Sequence, residues 1–272
     1  MLVGLCSVKG SPGVTTTALA LAARWPAGDP VLIEADPSGG DLAARFRLSA
    51  SPGLVSLAAA SRRDPHRGLV HEHSQMLPGG LPVVVGPVAA DQARAALGVL
   101  AARGAQAVRS AAQGPATAVL VDAGRLDASS PALPVVRGAD ALLVLARPRA
   151  EELSHVATLL GAVPTWTRMP GLVLVGSGYG KAEVERELQV PVMATLPDDP
   201  RGADVLCGRS SGRGPDRSVL GRAAERLARA VTHQARRGEA SSGRNGQSAL
   251  TSQPQLTVAS SGQPTGDGVV PP

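Results

Sequence analysis

Aromatic side chains are almost missing from this chain of 272 residues, in which Phe, Trp and Tyr make up 1%. Proteins that hold single-stranded nucleic acid by base stacking need several aromatic faces, so this scarcity excludes a stacking platform. Hydrophobic residues make up 43% of the chain, and with so few aromatic residues the core must be built mainly from Val, Leu and Ala. Val, Leu and Ala suit helices packed on a parallel sheet. The aromatic residues are Trp25, Phe46, Trp166 and Tyr179.

Cysteines and long apolar runs are also scarce. Cys6 and Cys207 provide no disulfide framework, and Cys6 is expected to be a buried free thiol in an apolar strand. No apolar run reaches the ~18 residues of a membrane-spanning helix. The first run, Met1–Cys6, is too short for a secretory signal and leads directly into glycines. We therefore expect a cytoplasmic protein.

Lysine is the third scarce residue: Lys9 and Lys181 are the two lysines among 27 basic residues. The formal net charge is +5 and is spread along the chain, so it permits weak attraction to DNA or anionic lipid without identifying either. In a chain that otherwise uses arginine, the position of each lysine is informative.

Short apolar runs recur along the chain and are nearly continuous in Val and Leu, which is typical of strands covered on both faces. They are Leu2–Cys6, Val31–Ile33, Leu81–Val85, Ala118–Val121, Ala141–Ala146, Leu172–Val175 and Val190–Ala194. Helix-forming segments lie between several of them, at Thr15–Ala23, Ala90–Ala111, Ala150–Leu160 and Lys181–Leu188. This alternation predicts an α/β fold: a doubly wound, mainly parallel sheet with helices on both faces.

The chain is expected to form one domain over residues 1–232, followed by a disordered tail rich in Gly, Ser, Pro and Gln over 233–272. Ser49–Gly80 is irregular and predicts a surface excursion with a short helix at Leu54–Ser61. Ser218–Arg236 predicts a basic helix with a small apolar face and no aromatic anchor, so packing on the sheet is favoured over membrane contact. Its arginines permit non-specific DNA binding. That apolar face consists of Leu220, Ala223, Leu227 and Val231.

A glycine-rich loop follows the first strand and leads into a helix, in the stretch SVKGSPGVTTTALALAA. Backbone N–H groups at such a turn form a positive cradle for phosphate. Thr15 stands where the hydroxyl of a phosphate-binding loop meets Mg²⁺, and Thr16 can donate to a phosphate. The usual lysine position holds Val14 instead. The alternative interpretation is that the glycines only turn the chain.

The loop resembles the deviant phosphate loop of the ParA/MinD family, K-G-G-x-G-K-[ST]. Lys9 aligns with the lysine that, in that family, reaches across a nucleotide-sandwich dimer to the phosphates of the partner. Ser11 replaces a glycine and Val14 replaces the second lysine. The matching residues are Gly10, Gly13, Thr15 and Thr16.

Two later segments agree with the resemblance in order and spacing. Val31–Leu42 resembles the second strand and switch I, with Asp36 at the position that orients the attacking water near the metal and Glu34 in place of an aspartate. Ala118–Leu126 resembles the Walker B strand and switch II. The resemblance gives Asp122 as the carboxylate behind the Mg²⁺ ligands and Gly124 as a neighbour of the γ-phosphate. It covers about residues 1–232.

The resemblance implies a nucleotide-dependent dimeric switch that binds ATP and Mg²⁺ and positions cargo such as DNA, a division component or a secretion or pilus complex. The implied partners are a second copy of the chain and a protein cargo or regulator. Loss of the ammonium at Val14 removes a charged hydrogen bond of roughly 1.5–3 kcal/mol, so we expect weak or absent hydrolysis, with Lys9 compensating in part. Lys9 and Asp36 are the expected catalytic residues, and Thr15, Asp36 and Asp122 the expected metal site. Nucleotide would contact Gly10, Ser11, Gly13, Thr15, Thr16 and Gly124.

Other interpretations stay open or are weak. A non-catalytic scaffold could retain the fold without nucleotide dependence, and nothing supports an amidoligase-type relative. An asparagine that reads adenine in the family is missing, so base recognition is expected near Leu196–Asp199. Gly176–Glu185 carries a Gly-Lys pair with the wrong spacing for a second phosphate site. The histidines of His66–His73 have no helical metal-ligand spacing and are expected in a solvated loop.

Overall fold

The computed structural model describes residues 1–114, 117–210, 214 and 217–250, with side chains as far as residue 237. Its strands are β1 Leu2–Ser7, β2 Asp29–Glu34, β3 Gln75–Met76, β4 Pro82–Val84, β5 Thr117–Arg125, β6 Ala141–Ala146, β7 Pro170–Val175 and β8 Val192–Leu196. They form one sheet in the order β3-β4-β2-β5-β1-β6-β7-β8. Every pair is parallel except β3 with β4 at one edge. The parallel sheet confirms the prediction, and the short antiparallel β3 adds to it.

Helices connect the strands. They are α1 Val14–Ala23, α2 Leu42–Phe46, α3 Leu54–Ser61, α4 Leu69–Glu72, α5 Ala90–Ala102, α6 Gln106–Ala112, α7 Leu133–Val136, α8 Ala150–Leu159, α9 Lys181–Leu188, α10 Pro200–Leu206 and α11 Val219–Leu250, with a 3₁₀ turn at Val163–Thr165. The chain divides into one unit at Met1–Ala235 and another at Arg236–Pro272, of which the described part, to Leu250, is helical. Residues 251–272 lie outside the described ranges, and the tail over 233–272 stays a prediction.

The core has two layers because successive strand residues face opposite sides of the sheet. In β1, Val3 and Leu5 join one hydrophobic cluster, whereas Leu2 and Cys6 join the other. The first cluster contains residues of α1, α2, α10 and α11, and the second contains residues of α3 to α9. Helices therefore cover both faces, as predicted. The apolar face predicted for α11 is at most 5% exposed, which confirms its packing on the sheet.

Three local predictions were wrong or incomplete. The single helix predicted over residues 90–111 is split into α5 and α6, because Gly104 and Ala105 adopt left-handed φ values of 60° and 54°. The irregular excursion over residues 49–80 contains α4 and β3 in addition to the predicted α3. The short helices α2, α7 and α10 had no helical period long enough to recognise. Among the described residues, no helix combines the length and the apolar character needed to cross a membrane.

Candidate nucleotide-binding site

The predicted site residues meet at the carboxyl edge of the sheet. Strand β5 lies between β1 and β2, and its Asp122 pairs in register with Leu5 on one side and Glu34 on the other. Loops that follow neighbouring parallel strands emerge on one edge, where open α/β sheets bind ligands. The loop after β1, Asp36 after β2 and Asp122 in the carboxyl half of β5 are brought together in this way.

The phosphate-loop candidate presents a row of free backbone N–H groups. Gly10 and Gly13 adopt positive φ values of 72° and 90°, and Gly13 caps the start of α1. The first backbone hydrogen bond of the helix runs from the Thr17 N–H to the Gly13 carbonyl, 2.9 Å away. Within the described residues, the N–H groups of Gly10, Ser11 and Gly13–Thr16 donate no hydrogen bond. Such a turn at a helix N-terminus is a cradle for an anion.

The two unusual residues of the loop differ in burial. Val14 is 7% exposed and belongs to the hydrophobic cluster of Val3 and Leu5, so its side chain fills the core. Lys9 is exposed and forms no ion pair among the described residues. Val14 therefore brings no positive charge to the cradle, and the exposed Lys9 is not held there by an ion pair in the described structure.

The carboxylates converge beside Gly124. The Gly124 N–H donates to Asp122 Oδ1 at 3.1 Å, and Gly124 has a φ of 58°. A Cβ at Gly124 would lie 2.1 Å from Cγ of Asp36, so only glycine fits against that carboxylate. Asp122 is fully buried, and its Oδ2 has no hydrogen-bond partner within the described structure. An orphaned buried carboxylate oxygen is costly unless a cation meets it.

Burial raises the pKa of Asp122 to about 6. The Thr15 hydroxyl and the Gly124 N–H oppose this rise, and the charge of Asp36 adds to it. Thr15 completes no hydrogen bond with Oδ2, which stays unpartnered. A hydroxyl and carboxylates suit Mg²⁺, which keeps several waters and binds substrate phosphates. The residues at Thr15, Asp36 and Asp122 fit that ion, although no three acidic, His or Cys side chains among the described residues form a complete metal cage.

Glu34 holds the loop that carries Asp36. Its Oε1 accepts from the N–H groups of Asp41 at 2.7 Å and Leu42 at 3.1 Å, and its Oε2 accepts from Gly86 N–H at 2.9 Å. We call residues 35–42 the switch I loop. Burial raises the pKa of Glu34 to about 7, and the three N–H groups oppose that rise. Glu34 therefore ties the switch I loop to the chain after β4.

A polar cleft of about 310 Å³ opens beside the phosphate loop. Ser11, Gly13 and Thr16 line one wall, and Asp198 and Asp199 line the wall expected to meet the base. Asp199 caps α10 through the Gly202 N–H at 2.9 Å and accepts from the Leu220 N–H at 3.1 Å. Its carboxylate is therefore committed to the fold, whereas Asp198 stays exposed.

Comparisons with known proteins agree with this architecture. No protein-family model matches the sequence, and no curated protein matches it. The ParA family ATPase from Chlorobium tepidum is 19% identical, with 84% of this chain and 96% of that chain covered and a TM-score of 0.66. The cell division ATPase MinD from Pyrococcus furiosus is 18% identical, with 86% and 98% covered and a TM-score of 0.66. The chain has the ParA/MinD fold.

The septum site-determining protein MinD from Pyrococcus horikoshii is a third similar structure, and it is complexed with Mg-ADP. It is 17% identical, with 84% of this chain and 93% of that chain covered and a TM-score of 0.61. These identities establish the fold and leave the activity to be argued from the site. The ParA/MinD fold places Gly10–Thr16, Asp36, Asp122 and Gly124 on one edge.

Sequence reasoning missed Arg147. This residue follows β6, and its Nη2 donates to the Ser11 carbonyl at 3.4 Å. No motif marks it, but β6 pairs with β1, so residues directly after the two strands must be neighbours in the ParA/MinD fold. Knowledge that β6 lies beside β1 would therefore have identified Arg147 as a neighbour of the phosphate loop.

The weaker sequence signals do not form sites. Lys181 begins α9 and lies 3.8 Å from Glu185, so the Gly-Lys pair is a helix start, as expected. The histidine-rich segment contains the short helix α4, which corrects the expected loop. His73 Nδ1 shares a hydrogen bond of 2.8 Å with Ser56 Oγ, and His66 pairs with Glu72 at 3.5 Å. No three potential ligands cluster in the described residues.

Glu34 and Asp122 make stability fall as pH rises. The unfolded chain loses these protons near pKa values of 4.5 and 3.8, whereas the folded protein keeps them to about 7 and about 6. The free energy of unfolding therefore decreases through that window and is level above it. Lowering the pH from 8 to 6 is expected to raise it by about 1 to 2 kcal/mol, measured by chemical denaturation without Mg²⁺. An increase towards pH 8 would contradict these buried acids.

Proposed function

We propose that the protein is a ParA/MinD-like, nucleotide-dependent dimeric switch that positions cargo, with weak or absent ATP hydrolysis. The observation that carries the proposal is one edge of the sheet where unpaired backbone N–H groups lie beside the unpartnered Oδ2 of Asp122. Donors for an anion next to an acceptor for a cation match a magnesium polyphosphate. The Mg-ADP of the Pyrococcus horikoshii MinD supports the same ligand class.

Each residue has a defined task in this proposal. The N–H groups of Gly10, Ser11 and Gly13–Thr16 bind the phosphates, and Thr15, Asp36 and Asp122 would hold Mg²⁺. When bound, this ion would supply neutralisation of phosphate charge, and Asp122 would gain the partner that its Oδ2 lacks. Since Asp36 lies against Gly124, the switch I loop and the segment after β5 respond together to what occupies the site. That response changes the surface offered to a second copy and to the cargo or regulator.

Binding is expected to appear as thermal stabilisation. A ligand present at about 100 times its Kd stabilises the native state by about 2.7 kcal/mol. For a chain of this size that corresponds to a Tm increase of about 5 to 10 °C. Melting with and without Mg-ATP measures it, with AMP as the control because it lacks the outer phosphates. The same samples, analysed by sedimentation, are expected to form dimers with Mg-ATP.

Lys9→Ala separates the dimeric switch from simple binding. Lys9 is exposed, as a residue that reaches a partner must be. The variant is expected to weaken both ATP affinity and ATP-dependent dimerisation; equal affinities would remove Lys9 from the mechanism. Absence of any Mg-ATP effect on the wild type would instead support a non-catalytic scaffold that retains the fold.

A further inference from the structure

One positive side chain of the same chain does contact the phosphate loop. Arg147 Nη2 donates to the Ser11 carbonyl at 3.4 Å, and the Arg147 side chain lines the cleft beside Gly13 and Thr16. The bond is long, so the guanidinium can exchange it for a better acceptor without losing much. Its other N–H groups donate no hydrogen bond within the described residues.

Glu152 fixes the distance between Arg147 and the phosphate loop. Its Oε2 accepts from the backbone N–H of Arg147 at 2.8 Å, and Glu152 is 7% exposed. Its Oε1 lies close to Gly10: a Cβ atom added to that glycine would be only 2.8 Å from this oxygen. The same carboxylate is therefore packed against the phosphate loop. One buried side chain therefore contacts both segments.

A second contact holds the arginine segment from outside. The Tyr179 N–H donates to the Pro148 carbonyl at 2.8 Å, and a Cβ at Gly178 would be 1.9 Å from that oxygen. The backbone of residues 147–149 is thus constrained on two sides, while the Arg147 side chain stays exposed. A constrained backbone beneath an exposed guanidinium is suited to binding a ligand, because the backbone loses little conformational freedom on binding.

We propose that Arg147 binds the phosphates of the nucleotide from within the same chain and replaces the cation that Val14 cannot supply. This inference rests on the proposed nucleotide site. Guanidinium is always charged and binds phosphate through two parallel N–H bonds, which an ammonium cannot do. The expected ligand is a magnesium-bound polyphosphate, and Arg147 would contribute to its affinity through contacts with the phosphates.

The test compares Arg147→Ala, Arg147→Lys and two arginine controls by calorimetric titration with Mg-ATP and with magnesium tripolyphosphate. Arg147→Ala is expected to weaken both ligands by about 10- to 100-fold, and Arg147→Lys to recover part of the loss. Arg168→Ala removes one exposed positive charge just before β7. Arg168 lies at the amino ends of the strands, whereas the candidate site lies at their carboxyl ends. This variant is expected to stay within about twofold of wild type because distant surface charges are screened.

Arg149→Ala tests whether the effect belongs to one side chain or to local charge. Arg149 lines the same cleft, but its side chain donates no hydrogen bond to the phosphate loop in the described structure. Equal losses in Arg147→Ala and Arg149→Ala would overturn the specific assignment, as would wild-type affinity in Arg147→Ala, and both results leave the nucleotide site intact. If the wild type binds neither probe, the proposed function and the role of Arg147 fail together. Melting without ligand checks that each variant is folded.

Discussion

Glu34→Ala is expected to lower the free energy of unfolding by about 1–3 kcal/mol net, because each buried N–H left without an acceptor costs about 1–3 kcal/mol. The change removes the acceptor of three N–H groups at once. Those of Leu42 and Gly86 are in buried surroundings and donate to no other acceptor in the described structure. Relief of the burial cost that raises the Glu34 pKa to about 7 offsets only part of this loss. Urea denaturation at pH 7 measures the difference.

Glu34→Gln decides whether charge or hydrogen bonding dominates. If the buried charge were the main effect, the neutral amide would stabilise the protein. We expect a loss instead, smaller than that of Glu34→Ala, because one end of the amide still accepts while its NH₂ group faces N–H donors. Glu187→Ala, which truncates an exposed glutamate on α9, is the control and should change stability little. A stabilised Glu34→Gln would contradict the anchoring role.

The sequence revealed the features that depend on local pattern. Continuous Val and Leu runs such as Ala141–Ala146 are typical of strands buried on both faces, and every predicted strand is present. The glycine loop was legible because Gly10 and Gly13 occupy positive φ, which few other residues adopt. Asp36 and Asp122 were found through the resemblance of their segments to the ParA/MinD family, and parallel strands bring such positions to one edge.

Features that depend on strand order or on distant partners were not legible. The role of Glu34 needs the N–H of Gly86, which is 52 residues away in the chain. Arg147 lies near Ser11 only because β6 is placed beside β1. The break between α5 and α6 depends on Ala105 in a left-handed conformation. Alanine disfavours that conformation because of its Cβ, so the sequence did not indicate a break there. In each case tertiary contacts outweigh the local preference that a pattern reports.

Asp122→Asn is expected to make the protein more stable and less responsive to Mg-ATP. Burial raises the pKa of Asp122 from 3.8 to about 6. Keeping the carboxylate ionised at pH 8 therefore costs about 3 kcal/mol. Asparagine removes the charge and still accepts from the Gly124 N–H, so we expect a gain of about 1–3 kcal/mol at pH 8. The Tm increase with Mg-ATP should largely disappear, because a neutral amide holds Mg²⁺ poorly.

Asp127→Asn is the matched control because it changes an aspartate just beyond β5 that is not in the site. Hydrogen bonds from Ser129 lower the pKa of Asp127, so its charge is favoured by the fold and the amide should give no gain. Its response to Mg-ATP should equal that of the wild type. If Asp122→Asn kept the full response, the metal would lie elsewhere; if it were less stable at pH 8, the unpartnered Oδ2 would not be a cost. The opposite signs expected for stability and ligand response at one residue indicate a carboxylate kept for binding.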